Sequence, residues 1–230
     1  MENSSFLRYK ADFWTLGFLF MYILLAYGGF YLFDSLYESY FWAILMPLCI
    51  VASIVSFSVA VIVHNTVHCP MFYKKSHNKL MQYFLSLAHG YSVSAFVPGH
   101  NFSHHREVQG AKDAIRTTKA RFKWHFLNQL LFFFLVSGAM FKYELKWAAK
   151  MRKEKPEWYR QWLSETILVN ILRIGALFIN LPAALMFIWF PQFYAIWGLA
   201  GCNVWQHDGC DITHEYNHSR TFKGKLMNFL

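Results

Sequence analysis

The chain has 230 residues, of which 56% are hydrophobic, 20% aromatic and only 15% charged, and its formal net charge is +9. A water-soluble domain averages about 45–50% apolar and about 25% charged residues, so this composition excludes an ordinary soluble protein. Much of the chain needs a solvent other than water.

The first predicted element is FWTLGFLFMYILLAYGGFYLF, residues 13–33, which carries no charge. It is long enough to cross a hydrocarbon core, which takes about 20 helical residues. It is too long for the apolar region of a signal peptide and lacks a small-residue cleavage site. The second element, FWAILMPLCIVASIVSFSVAVIV, spans residues 41–63 with Pro47 as its local irregularity. The connector DSLYESY, residues 34–40, holds Asp34 and Glu38 and no base.

The segment from His64 to Thr166 contains sixteen Lys and Arg against six Asp and Glu. By the positive-inside rule it is cytoplasmic, as are Arg8 and Lys10 at one end and Arg220, Lys223 and Lys225 at the other. Within it, the apolar stretch 126–141 is read as an in-plane or re-entrant helix, because a span there would put Lys142, Lys146, Lys150, Arg152 and Lys153 outside. The stretch 80–97, with His89 and Gly90 at its middle, is open to the same two readings. The basic, Trp-containing run from Lys142 to Trp162 suits a helix lying on anionic headgroups. From Ile167 to Gln206 the one charge is Arg173, and two spans with a turn near Pro191-Gln192 are expected.

The expected fold is therefore an all-α integral membrane protein with about four transmembrane helices in two hairpins and a cytoplasmic, histidine-rich helical cap. No linker or repeat divides residues 1–230 into further domains. The lipid bilayer is the expected partner of the basic residues, with no nucleic acid. The four cysteines show no C-x-x-C spacing and are expected to be reduced thiols. The three N-x-S sequons, at Asn3, Asn101 and Asn217, fall on the cytoplasmic side and should carry no glycan.

The eleven histidines are grouped. HNTVH supplies His64 and His68 directly after the second span, HNFSHH supplies His100, His104 and His105, and the tail supplies His207, His214 and His218. A four-residue spacing puts two imidazoles on one helix face, which pairs His64 with His68 and His100 with His104. His105 would be turned about 100° from His104, so the adjacent pair suits two metal ions better than one. One tetrahedral zinc needs about four ligands, and six to eight imidazoles at one membrane face exceed that. Imidazole suits Fe, Cu, Zn and Ni alike, so ligand type alone does not choose the metal. His89 and His125 read as packing residues and His77, among lysines, as exposed. A metal transporter or bis-histidine haem protein would need ligands near mid-membrane, whereas these groups lie at span ends and in the basic loop.

With HNTVH as a first box and HNFSHH as a second, the chain resembles the membrane fatty acid desaturase and hydroxylase superfamily of histidine-box, non-haem diiron enzymes. The resemblance covers nearly the whole chain. The third box, usually H-x-x-H-H, does not occur in it. Asn203 to His207 resembles the element that precedes that box, in which the histidine binds iron and the asparagine contacts it through water. NHSR, residues 217–220, resembles the stretch that follows. On that alignment the third box would come after Leu230, so the domain is expected to be incomplete at its C-terminus, with His214 and His218 as weaker candidate ligands.

The resemblance implies an O2-dependent oxidoreductase that uses two Fe ions to introduce a double bond into an acyl chain. A lipid hydroxylase or carotenoid ketolase of the same superfamily is one alternative, and a non-enzymatic metal- or haem-binding membrane protein or an inactive truncated paralogue is the other. The implied metal set is His64, His68, His100, His104, His105, His207 and Asn203, with no catalytic residue beyond the metal centre. Glu107, Asp113, Asp208, Asp211 and Glu215 are candidates to orient the imidazoles. Electrons would come from an external ferredoxin or cytochrome, because the chain has no dinucleotide fingerprint or fused haem domain.

Overall fold

The computed structural model describes residues 6–211, 213, 214 and 217–220. Expectations that touch Asn3, Glu215, Lys223 and Lys225 lie outside them. The described residues are helical throughout apart from turns, loops and one isolated bridge, between Leu7 and Phe72. The all-α membrane class stands. Among the described residues, four helical stretches are long and apolar enough to cross a membrane, at Asp12–His68, His125–Glu154, Pro156–Ile179 and Leu181–His207.

Contacts group the chain into two compact units. The first holds the residues up to Val93 and Gln161–Ile196; the second holds Ser94–Arg160 and the residues from Trp197 onward.

In the first unit, α1 (Asp12–Tyr40) and α2 (Met46–His68) form a hairpin. The expected connector at 34–40 is helical and completes α1, and the chain reverses at Tyr40 (φ −129°, ψ 18°). Tyr22 of α1 reaches Ser56 of α2 with a hydrogen bond. Between the helices lies a π turn, Phe41–Leu45, in which the Met46 N–H reaches the Phe41 carbonyl. Pro47 follows at the start of α2, where a missing N–H costs nothing.

The second expected turn is corrected. The chain turns at Asn180, not at Pro191-Gln192. There the Asn180 side chain accepts the Ala183 N–H at 3.1 Å, and its amide donates to Asp34 Oδ1 at 2.7 Å. Asparagine is a strong N-cap, and Pro182 occupies the first turn of α8 (Leu181–Ala184). Pro191 is carried inside the helix because another π turn, Leu185–Trp189, precedes it. The Phe190 N–H bonds Leu185 with five-residue spacing, so the four-residue ladder that a proline would break is already relaxed. α9 (Phe190–His207) continues from there.

Phe33, Leu45, Cys49, Ala183 and Phe187 form a buried cluster in this unit. Gly29 of α1 lies against the Phe187 ring, where an added Cβ would meet ring carbons at 2.4 Å. Gly29→Leu is therefore expected to destabilise this hairpin by about 1–3 kcal/mol through overpacking. Thermal unfolding in detergent micelles measures that loss, with the exposed, uncontacted Gly17→Leu as control.

α3 (Lys75–His89) ends at Gly90, which has φ +74°. His89 is buried as expected, and Gln161 and Ser92 bond the buried carboxylate of Glu165 on α7 (Pro156–Ile179) at 2.8 and 2.7 Å. His77 is half-buried between the Phe6 and Phe72 rings instead of exposed.

The second unit contains α4 (Val93–Val97), a π turn at Pro98–His104, α5 (His105–Glu107) and the 30-residue α6 (His125–Glu154). His125 is exposed at the start of α6 and does not pack. The apolar stretch 126–141 and the basic run that begins at Lys142 belong to one straight-through helix, long and apolar enough to span. The expected separate surface helix from Lys142 to Trp162 is instead divided at Lys155, before Pro156 opens α7. Strong helix formers, Lys, Glu, Ala and Met, fill 142–154, so nothing in that run stops the helix earlier. The core of this unit is Ala120, Phe132, Val136 and Val204.

Candidate metal centre

The last turn of α2 carries His64 and His68, whose ring centroids are 5.1 Å apart. The His64 Nδ1 lies 3.3 Å from Asn65 Oδ1. The Cys69 N–H caps the turn on the Asn65 carbonyl at 2.9 Å, and the chain leaves in extended conformation. The negative end of the helix dipole at this terminus favours a cation.

The second histidine group departs from α-helical spacing. Pro98–His104 is a π turn, and the His105 N–H bonds the His100 carbonyl. Five-residue spacing therefore brings His100 and His105 together, with Nε2 atoms 3.0 Å apart. The expected face-sharing of His100 with His104 is replaced: those rings are 5.9 Å apart and their nitrogens serve different partners. Phe96 stacks on His100 at 4.7 Å and fixes its plane. π turns recur at functional sites because they re-aim side chains in this way.

His104, freed from that pair, meets α9. Its Nε2 is 3.2 Å from the Nε2 of His207, which occupies the last turn of α9. Both rings are held from behind. His104 Nδ1 donates to Asp113 Oδ2 at 2.8 Å, and His207 Nδ1 donates to the His218 carbonyl at 2.8 Å. An acceptor at each Nδ1 fixes the proton there. With both Nδ1 atoms so engaged, the two Nε2 atoms face each other.

Asp113 is fully buried, and burial by itself would push its carboxyl up. The His104 ring and the N–H groups of Ile115 (2.8 Å) and Gln109 (3.0 Å) outweigh burial and hold it below the usual carboxylate range. It stays ionised at neutral pH.

Among the described residues, the other three proposed orienting carboxylates are engaged elsewhere. Glu107 pairs with Arg106 at 2.8 Å, Asp208 with Arg121 at 2.5 Å, and Asp211 accepts the Thr213 hydroxyl at 2.6 Å. Asn203 donates to the Ile115 carbonyl at 2.7 Å. His218 offers its carbonyl, and the Arg220 N–H returns to the Gln206 carbonyl at 2.9 Å. His218, a weaker candidate ligand by sequence, meets His207 through its backbone carbonyl. Gln109 carried no sequence signal beyond a Gln-Gly pair in a loop.

The donor set fits a metal. Two imidazole nitrogens bound to one ion at about 2.0–2.1 Å lie roughly 2.8–3.4 Å apart at octahedral to tetrahedral angles. The two pairs in this unit, His100 with His105 and His104 with His207, match that spacing. Imidazoles without thiolates suit Fe, Zn, Cu or Ni.

The family model described as fatty acid desaturase matches residues 40–230, which takes in every histidine group. No curated protein and no solved structure matches the chain. On the extent of that match, the chain belongs to the fatty acid desaturase family.

Proposed function

We propose that this protein is a membrane-bound, O2-dependent diiron desaturase that introduces a double bond into a lipid acyl chain. The observation that carries the reading is the pairing of Nε2 atoms in the second unit, His100 with His105 and His104 with His207, each at metal-ligand spacing. The proposed ligands are these four with His64 and His68. Asn203 belongs to the same site without a direct bond to metal. Two bound irons would supply activation of O2 toward an unactivated C–H bond.

The protein's own contribution is orientation. Asp113 and the His218 carbonyl hold His104 and His207 at Nδ1, which leaves the two Nε2 atoms facing each other. The Phe96 ring holds the plane of His100. An external electron donor, a ferredoxin or cytochrome type, would dock on the basic cytoplasmic face.

The test is metal content followed by product. Purified protein should hold about two irons per chain; haem absorbance or zinc alone would overturn the reading. Lipid profiling of an expressing host then separates a new double bond from a new hydroxyl group.

We also propose that the histidine groups and both termini face the cytoplasm, as the Lys and Arg distribution supports. Cys69, an exposed thiol beside the first histidine group, reports on this. In a variant that keeps Cys69 alone, a membrane-impermeant maleimide should label inside-out vesicles and not intact cells.

A further inference from the structure

His104, Asp113, Ile115, Asn203 and His207 form a closed circuit within the second unit. Asn203 Nδ2 donates to the Ile115 carbonyl, the Ile115 N–H donates to Asp113 Oδ1, and Asp113 Oδ2 accepts from His104 Nδ1. His104 Nε2 faces His207 Nε2, and His207 stands one helical turn beyond Asn203 on α9. The loop 108–117 therefore sets both ring partners, one through Asp113 and the other through the Asn203 face of α9.

Gln109 holds that loop closed. It is 5% exposed, and its side-chain Oε1 accepts both the N–H and the hydroxyl of Thr117, at 2.6 and 3.0 Å. Its own N–H is aimed at Asp113 Oδ2, the oxygen that receives His104. This requires left-handed backbone at two successive non-glycine residues, Val108 (φ 32°) and Gln109 (φ 64°). For β-branched Val108 such a conformation is strained, and strain of about 1–3 kcal/mol persists only where surrounding structure over-determines it. Here the bonds to Thr117 and Asp113 do so. Nearby, the Ala114 N–H donates to the Ser103 hydroxyl at 2.9 Å, which anchors the loop to the π turn that bears His100 and His104.

We propose that Gln109 and Asn203 are positioning residues for His104 and His207, acting through Asp113 and the Ile115 peptide. The inference rests on the diiron reading above. On it, Asn203 sets the distance between α9 and the loop through a direct bond to the Ile115 carbonyl, and Gln109 fixes the angle at which Asp113 presents its oxygen. Removal of either loosens the hold on His104 without removing a ligand.

The experiment is the rate of iron release from the purified protein to a ferrous chelator, read by absorbance, with no turnover required. Gln109→Met, which keeps shape and removes the acceptor, and Asn203→Leu should each weaken iron retention about 10–100-fold, the scale on which partners behind a metal-bound imidazole act. Far-UV circular dichroism of the iron-free forms should match the parent. The decisive variant is Gln109→Met combined with Asp113→Asn: if Gln109 acts through Asp113, the double variant should release iron no faster than Asp113→Asn alone. Additive effects in the double variant, or single variants that retain iron like the parent, overturn the positioning role and leave the diiron reading intact. A parent protein that takes up no iron overturns both. Should Gln109→Met fail to fold, Thr117→Val removes one of the two donors to Oε1 and carries the same comparison.

Discussion

His104→Ala and His207→Ala should each abolish iron-dependent activity, with iron retention falling further than the roughly 10–100-fold expected for a partner behind a ligand. The two substitutions remove the two halves of one facing pair, so the loss should be nearly the same for both. Combining them should add little, since residues that act as a unit are not additive. His77→Ala, with its ring between Phe6 and Phe72 in the first unit, serves as the contrast. It should leave iron content at the parent level. Metal analysis of the purified variants decides the matter: a His207→Ala protein that still carries two irons would refute the pairing.

Asp113 should show the second largest effect, and two substitutions there separate its two duties. Asp113→Asn keeps the shape and a carbonyl oxygen but loses the charge that stabilises the His104 N–H. Its iron retention should fall about 10–100-fold while the fold survives. Asp113→Ala also strands the buried N–H of Gln109, at about 1–3 kcal/mol, and the partly buried N–H of Ile115. That variant should lose thermal stability as well as iron, and Asp113→Asn should lose mainly iron. Equal loss of stability in both would mean that Asp113 serves the loop alone. Glu107→Gln is the control, because that carboxylate pairs with Arg106 and not with a histidine.

The span pattern was legible because it needs no partner. A run of about 20 apolar residues states its own solvent, and residues 13–33 and 41–63 became α1 and α2 with little change. The histidine groups were legible for a similar reason. Their types and clustering are local, and they pointed to a metal before any contact was known. The turn at Asn180 was also local in origin, but Pro191 outweighed it in the sequence reading. Proline usually ends a helix, and only the π turn Leu185–Trp189 shows why this one does not. The apolar run from 126 and the basic run from Lys142 were read as separate because their surroundings differ. A helix continues through a change of composition as long as its backbone bonds are made, as α6 does.

The sequence by itself determined the solvent, the helical class, the histidine supply and the family. Which imidazoles meet was decided only by tertiary structure. Spacing on an ideal helix pairs His100 with His104, but the π turn re-pairs His100 with His105 and releases His104 to His207, 103 residues away. Among Glu107, Asp113, Asp208 and Asp211, no sequence feature distinguishes the carboxylate that orients a ring. Asp113 takes that role because the strained turn at Val108 and Gln109 folds the chain back onto His104. The physical reason is the same in both cases. Composition and periodicity report what a residue needs from solvent, whereas a hydrogen bond of 2.8 Å depends on where the backbone brings two distant groups.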